Sequence, residues 1–165
     1  MKTNFLIFVI FLSFLSVPIF GQTKSDTVNK NNIKYKYALG IGAGFTTGYG
    51  LSCRFTPNKF GIQTTFSPYS NGNTTRYSIG LTLLYTLLEA EKTSFYLYQG
   101  NHFFYENNDN SYYNSKTKYF YNGVGFGIEV IILKHISLNL MGGYAFYENF
   151  DRLNLTGEVG LYYKF

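Results

Sequence analysis

Hydrophobic and small or polar residues alternate along most of the chain after residue 36. In the first such run, YALGIGAGFT (37–46), the even positions are mostly Gly or Ala. The odd positions are Tyr37, Leu39, Ile41, Ala43 and Phe45. A period of two is typical of a β-strand whose two faces meet different surroundings. The pattern therefore predicts a strand with one apolar face.

The alternation returns seven more times, which predicts eight strands in all. The further runs lie at 51–55, 60–66, 77–87, 95–105, 123–130, 136–146 and 155–165. In the fifth run the faces are harder to assign, with Gln99 and Asn101 on one side and Tyr96, Tyr98, His102 and Phe104 on the other. Strands that cross a bilayer at a tilt need about 9–11 residues, and bacterial single-chain barrels have an even number of them.

The connections between these runs alternate in length. The segments 56–59, 88–93 and 132–135 are short, whereas the other set, at 47–50, 67–76, 105–118 and 147–153, contains all the long ones. Short periplasmic turns and longer outer loops are the asymmetry expected of a transmembrane barrel. The sequence thus predicts an eight-stranded antiparallel up-and-down transmembrane β-barrel over residues 36–165.

The first residues are typical of an export signal. Lys2 precedes an uncharged apolar run, FLIFVIFLSFLSVPIF (5–20), and Gly21 follows it. We expect a cleaved signal peptide at 1–21 and a polar, flexible periplasmic leader at 22–35. A retained membrane anchor is the alternative, because the run approaches the length that spans a bilayer. Pro18 and the small residue at the exit favour the signal.

Composition excludes several other classes of protein. The chain has 17 Tyr, 17 Phe and 17 Gly but no Trp, which favours β-structure with crowded walls. Its net charge of +5 comes from scattered Lys and Arg, so we expect no nucleic-acid partner. The single Cys53 excludes an intramolecular disulfide. The motif GIGAGF (40–45) lacks the third glycine of a dinucleotide-binding loop, so no cofactor is expected.

The signal peptide, the eight alternating runs and the terminal LYYKF together resemble the small outer-membrane β-barrel proteins of Gram-negative bacteria. The resemblance extends over essentially all of the mature chain. It implies a bacterial outer-membrane location, with outer-membrane lipid and the barrel-insertion machinery as partners. The aromatic Phe165 at the end of the last strand is similar to the signal that this machinery reads.

Four charged residues fall on the inward parity of their strands: Arg54, Glu129, Glu158 and Lys164. Charges among apolar neighbours are costly unless they are paired, so we expect some of them to form salt bridges in the lumen. A polar plug that fixes the strand register is favoured over a gated ion path. The alternating glycines at 40–44 and 123–127 suit the narrow interior of an eight-stranded barrel.

A soluble lipocalin-like barrel would place its apolar face inward instead. The opposite face of these strands is rich in Gly, Ser, Thr and Asn and would make a poor dry core, which favours the membrane. Aromatic residues near strand ends would then form the interfacial girdles. These residues are Tyr37, Phe55, Phe60, Tyr77, Phe146, Tyr163 and Phe165.

Candidate chemistry is sparse. A lipid-modifying enzyme would need a nucleophile with His and a carboxylate. Of the two histidines, we expect His135 in a periplasmic turn and His102 in the interfacial belt, so we predict that the chain is not an enzyme.

The segment 105–118 is expected to be an outer loop, with Tyr105, Tyr112 and Tyr113 among asparagines. It is either a solvated loop or a recognition surface for an unknown extracellular ligand. The expected function is a structural or surface-interaction role, with a narrow pore, a lipid-modifying enzyme or a soluble binding barrel as alternatives.

Overall fold

The computed structural model describes residues 35–72, 74–110 and 113–165. The expected signal peptide, the leader up to residue 34, and Tyr112 lie outside the described residues. The chain forms β1 (Tyr37–Gly44), β2 (Gly48–Phe55), β3 (Phe60–Asn71), β4 (Thr74–Glu89), β5 (Thr93–Asn110), β6 (Tyr113–Leu133), β7 (Ile136–Tyr147) and β8 (Arg152–Lys164).

These eight strands close into an antiparallel up-and-down barrel in which each strand pairs with its neighbour in sequence. The first and last strands complete the ring, through a ladder that runs from the pair Ala38–Lys164 to the pair Gly44–Glu158. Closure leaves no edge strand, so backbone hydrogen bonds are made within the wall. The fold predicted from the alternation is confirmed.

The two ends of the barrel differ. One end, here called the short-turn end, carries Tyr37, Phe165 and the turns β2–β3, β4–β5 and β6–β7. The opposite end, the long-hairpin end, carries the other four connections. There β5 and β6 reach 18 and 21 residues, whereas β1 and β2 have only 8 each.

The prediction that residues 105–118 form a loop is wrong. The β5–β6 ladder continues up to the pair Asn110–Tyr113, so nearly all of this segment is a paired hairpin. The segment 67–76 is likewise mostly strand, with Asn71 paired to Thr74. Apolar–polar alternation fades where both faces of a strand meet water, but the backbone register continues from the wall below, and the sequence pattern therefore underestimates these hairpins.

The short β1–β2 hairpin leaves a gap in the rim of the barrel, which we call the notch. The β2–β3 ladder ends at the pair Leu51–Phe66, and the β1–β8 ladder ends at Gly44–Glu158. Beyond these pairs β3 and β8 continue without β1 and β2 between them. The wall is therefore low at β1–β2 and tall at β5–β6.

Polarity is inverted relative to a soluble protein. Large apolar side chains cover the outside; Ile41, Leu51 and Leu155 are 59%, 71% and 67% exposed. Ser78, Ser137 and Asn139 are wholly buried inside the ring. An apolar exterior around a polar interior is the arrangement of a transmembrane barrel, and it excludes the lipocalin-like alternative.

The aromatic residues expected in the girdles all lie on the outside. Tyr37 stacks on Phe55 and on Phe165 at the short-turn end, with ring centroids 4.9 and 6.1 Å apart. Tyr77 stacks on Tyr105 toward the long-hairpin end, at 6.2 Å. No helix among the described residues is long and apolar enough to cross a membrane.

A charge on the lipid-facing surface tests this assignment. Leu140 lies in the middle of β7, is 48% exposed and pairs with Ile128. We expect Leu140→Arg to lower the free energy of unfolding in lipid vesicles by about 2–4 kcal/mol, because arginine is costly at the bilayer midplane. Denaturant titration followed by tyrosine fluorescence measures the loss.

Thr75→Arg, on the β3–β4 hairpin beyond the apolar band, is the matched control. It should change the free energy of unfolding by less than about 0.5 kcal/mol, as an ordinary surface substitution does. Equal effects of the two substitutions would contradict a lipid-facing exterior.

Candidate functional site

The lumen at the short-turn end contains a network of ion pairs. Arg54 Nη1 lies 3.2 Å from Glu129 Oε2, and Lys164 Nζ lies 3.0 Å from Glu129 Oε1. The strand register explains the geometry, because Arg54 on β2 and Lys164 on β8 both pair with Ala38 on β1. Both cations thus flank one small residue and reach across the lumen to β6.

Polar and aromatic side chains surround this network. Arg54 Nη2 donates to Gln63 Oε1 at 2.6 Å, and the Ser137 hydroxyl donates to Glu129 Oε1 at 2.5 Å. The Arg54 guanidinium also lies 4.3 Å from the centre of the Tyr162 ring. Buried charges are tolerated when they are paired and hydrogen-bonded in this way.

Glu158 lies apart from the other three predicted charges. Its carboxylate accepts a hydrogen bond from the Thr46 hydroxyl and makes no ion pair with any residue that the structure describes. Thr46 and Thr47 belong to the β1–β2 connection, yet they are only 0% and 2% exposed. The turn is therefore folded into the lumen, where it closes the interior below the long-hairpin end.

Two glycines on the opposite wall make room for this turn. A Cβ atom on Gly80 of β4 would overlap the carbonyl oxygen of Thr47, and one on Gly100 of β5 would lie 2.7 Å from the carbonyl oxygen of Thr46. The backbone of the turn thus packs directly on backbone across the lumen. Only glycine allows so close an approach.

The expectation that His102 is a belt residue is wrong. His102 points into the lumen and is only 3% exposed. Its Nδ1 donates to the carbonyl oxygen of Phe45 at 2.8 Å, and in the neutral ring Nε2 accepts from the Ser78 hydroxyl, also at 2.8 Å. His102 thus connects the inward turn to β4 and β5. The sequence did not predict this orientation because the two faces of β5 are similar in polarity.

A Ser–His pair raises the question of nucleophilic catalysis. In such a pair the second ring nitrogen is usually oriented by a third group. Here that position belongs to a backbone carbonyl, and Ser78 is wholly buried beneath the turn. A hydroxyl that no substrate can reach serves to hold the turn.

His135, the other histidine, lies at the short-turn end, where its Nδ1 is 3.1 Å from the Lys164 carbonyl oxygen. No group of three or more potential metal ligands occurs among the described residues.

Above the turn, a group of rings faces the interior from the tall β5–β6 wall, from β7 and, opposite them, from β2. We call this group the aromatic cluster; it consists of Tyr49, Phe104, Tyr119, Tyr121 and Tyr147. His102 forms its floor, with its ring 5.6 Å from that of Tyr121 and 5.9 Å from that of Tyr49. Tyr49 is 39% exposed and the other four residues are half-buried, so the cluster is packed and still partly accessible.

The same concave face carries a pair of opposite charges. Arg76 Nη2 lies 3.0 Å from Glu106 Oε1, and the Arg76 guanidinium lies 6.0 Å from the ring of Tyr69. An ion pair this exposed contributes little to stability. Its significance is that it places both charge signs next to the aromatic cluster.

Tyr105, one of the tyrosines singled out from the sequence, does not belong to this face. Tyr105 points outward, stacks on Tyr77, and has Lys118 Nζ 5.9 Å from its ring centre. Tyr113 is the first residue of β6, and Tyr112 lies outside the described residues. The aromatic cluster was not predicted because most of the segment 105–118 was interpreted as a loop. Tyr119 and Tyr121 continue the inward parity of Gly123, and this alternation could have predicted that their side chains face inward.

Comparison with solved structures identifies the fold. The N-terminal β-barrel domain of Pseudomonas aeruginosa OprF aligns with a TM-score of 0.56 and 12% identity, over 78% of this chain and 95% of that one. The fold is that of an eight-stranded outer-membrane β-barrel. No protein-family model and no curated protein matches the sequence.

Two further structures align less closely. Neisserial surface protein A has a TM-score of 0.49 and 17% identity, over 78% of this chain and 94% of that one. Ail, the attachment invasion locus protein of Yersinia pestis, has 0.39 and 14%, over 78% and 93%.

The ion network predicts unequal effects of removing its members. Glu129 faces two cations, so Glu129→Gln leaves both without a carboxylate, whereas Arg54→Met leaves Glu129 paired with Lys164. We expect Glu129→Gln to lower the free energy of unfolding by about 3–5 kcal/mol, and Arg54→Met to have a smaller effect. Urea titration of the refolded barrel measures both. A larger loss for Arg54→Met would be inconsistent with this network.

The inward turn predicts a difference between two glycines. We expect Gly80→Ala to lower the free energy of unfolding by about 1–3 kcal/mol, because the new methyl group overlaps the Thr47 carbonyl and the packed lumen cannot yield. Gly142→Ala is the control, since its Cβ would lie 3.8 Å from the nearest atom. Urea titration compares the two; similar values would argue against a turn packed on β4.

Proposed function

We propose that this chain is a non-enzymatic outer-membrane protein that uses the aromatic cluster to recognise an extracellular partner. The observation that carries the proposal is a set of five packed and partly exposed rings above the inward turn. Tyrosine-rich surfaces bind well because the side chain offers a large contact area at a low conformational-entropy cost.

Three features support an outer-membrane location. The exterior is apolar between two sets of aromatic residues, the hairpins are long at one end only, and the N-terminal residues resemble a signal peptide. The fold is shared with the barrel domain of OprF. In this orientation the short-turn end faces the periplasm, and the end of the barrel that carries the aromatic cluster faces the cell exterior.

The contents of the lumen argue against a pore. The network of Arg54, Glu129 and Lys164 crosses the interior at the short-turn end. The turn at Thr46 and Thr47 fills it toward the other end. An eight-stranded barrel is just wide enough for side chains to fill, and here both halves are occupied.

We propose a non-enzymatic role because the Ser–His pair found among the described residues is inaccessible. Ser78 is wholly buried and His102 nearly so. The aromatic cluster, by contrast, offers rings, hydroxyl groups and the Arg76–Glu106 ion pair, a combination that suits a polar partner with apolar faces, such as a glycan or a peptide.

A binding assay tests the proposal. Cells that carry the chain are compared with cells that lack it on a glycan microarray and on a panel of immobilised extracellular-matrix proteins. We expect retention on at least one of these surfaces. The double substitution Tyr119→Ser/Tyr121→Ser should reduce it by about tenfold or more, because hot-spot aromatic residues contribute 2 kcal/mol or more.

Tyr105→Ser is the matched control, since Tyr105 lies on the same hairpin and faces outward. It should leave binding unchanged. A mobility shift on boiling, followed on a denaturing gel, verifies that every variant is folded. If folded wild-type protein gives no retention on any surface, or if Tyr105→Ser reduces it as much as the double variant, the recognition role is rejected.

A further inference from the structure

The last strand has a free edge where it borders the notch. β8 pairs with β7 as far as Arg152, but its pairing with β1 ends at Glu158. Residues 152–157, which we call the free edge, therefore have a neighbouring strand on one side only. All of them except Thr156 are exposed. At about 3.4 Å per residue this edge is about 20 Å long, which is enough for a partner strand of ordinary length.

The main-chain groups that face the notch belong to the odd-numbered residues of β8. At the other end of the strand the Phe165 N–H donates to the Tyr37 carbonyl oxygen on β1, whereas the Lys164 N–H is directed to the β7 side. Successive residues of a paired strand direct their N–H and C=O groups to opposite sides. Those of Leu153 and Leu155 therefore face away from β7, toward the notch.

The inward turn is the reason that β1 does not cover this edge. If the β1–β8 ladder continued, the Gly157 N–H would donate to the Phe45 carbonyl oxygen, but that oxygen accepts from His102 Nδ1 in the lumen and not from β8. Beyond this point the main-chain N–H and C=O of Leu153 make no hydrogen bond with any described residue. β8 thus has open main-chain groups where β1 leaves the wall.

Side chains occupy the middle of the free edge. The Leu155 N–H donates to Asn154 Oδ1 at 2.8 Å, and the Tyr147 hydroxyl donates to the Leu155 carbonyl oxygen at 3.0 Å. Both hydrogen bonds are exposed and use the ends of side chains. An incoming strand can replace them with the two hydrogen bonds of a regular ladder pair.

The opposite side of the notch, formed by β3, is protected against such pairing. The Lys59 carbonyl oxygen accepts from β4, so the even-numbered residues of β3 direct their main-chain groups to the notch. One of them is Pro68, which lies beyond the last β2–β3 pair and has no N–H to donate. Proline at an edge hinders pairing with another chain. The free edge of β8 contains no proline.

We propose that the free edge of β8 binds an extended peptide segment of a partner protein as an additional antiparallel strand. Edge strands bind peptides in this way through main-chain hydrogen bonds, and the side chains beside the edge determine the preference. Leu153 and Leu155 point outward and are 61% and 67% exposed. Residues directly opposite each other in an antiparallel pair have side chains on the same face, so the preferred segment has apolar residues at alternate positions, next to these leucines.

Strand direction favours a peptide over a second copy of this chain. Two barrels side by side in one membrane have β8 strands that run in the same direction, and parallel pairs are slightly less stable. A separate segment can adopt the antiparallel direction in which β8 pairs with β7. The inference does not rest on the proposed function, because main-chain groups of β8 and not the rings of β6 carry it.

N-methylation of a peptide at alternate residues tests the inference. The probe is the fluorescently labelled peptide Lys-Thr-Val-Thr-Val-Thr-Val-Lys, and fluorescence anisotropy follows its binding to the folded protein in detergent micelles. When the valines lie beside Leu153 and Leu155, their N–H groups point to β8 and those of the threonines point away. We expect N-methylation of the valines to weaken binding about tenfold or more, because ladder hydrogen bonds are lost. N-methylation of the threonines should leave binding unchanged.

The substitution Leu155→Pro tests the protein side of the contact. It removes the central N–H of the free edge and no hydrogen bond to β7, so the barrel should still fold. We expect it to weaken binding of the unmethylated peptide about tenfold or more. Leu155→Ala removes the same side chain but keeps the N–H, and as the matched control it should have a clearly smaller effect. Leu153→Pro and Leu153→Ala form a second pair, used if the first proline variant lacks the mobility shift on boiling.

Several results would overturn the inference. They include no binding of the unmethylated peptide, equal effects of the two N-methylated peptides, and a folded proline variant that binds as the wild type. A wild-type dimer in light scattering that the proline variant lacks would show that a second copy covers the edge. The Tyr119→Ser/Tyr121→Ser variant should bind the peptide as the wild type does; loss of binding there would place the peptide on the aromatic cluster instead.

Discussion

Closure of the backbone hydrogen-bond ladder is the constraint on which the rest of the molecule depends. In hydrocarbon every backbone N–H and C=O needs a partner within the chain, so the last strand has to pair with the first. The β1–β8 ladder meets this need, and its register also fixes the interior. It places Arg54 and Lys164 on either side of Ala38, from where both cations reach Glu129.

The same need for hydrogen-bond partners applies to the side chains of the interior. Because the outside of the wall must be apolar, the lumen receives the polar residues, and each of them then needs a partner in a confined space. Near one end the partners are ionic and cross the barrel. Near the other end a backbone turn supplies them, through the Phe45 carbonyl to His102 and the Thr46 hydroxyl to Glu158. A wall built for lipid is thus stabilised from within.

Period-two alternation was sufficient to predict the strands, their number and the inward position of Arg54, Glu129, Glu158 and Lys164. It failed where the two faces of a strand do not differ, as on β5, where Gln99 and Asn101 face outward and His102 inward. It also failed in the hairpins above the membrane, where water meets both faces. The inward turn was not predicted, because it depends on backbone packing of Thr46 and Thr47 on Gly80 and Gly100 across the lumen, which the alternation does not show.

Because of the notch, the rim of the barrel is lower on the β1–β2 side than on the β5–β6 side. Phe104, Tyr119 and Tyr121 of the aromatic cluster lie on the tall wall, and Tyr49 of β2 faces them from the low side. A molecule that approaches along the barrel axis meets the β5–β6 hairpin first, whereas one that approaches parallel to the bilayer through the notch meets Tyr49 first. In the orientation proposed above, the notch is therefore the side from which a molecule close to the lipid head groups would reach these rings.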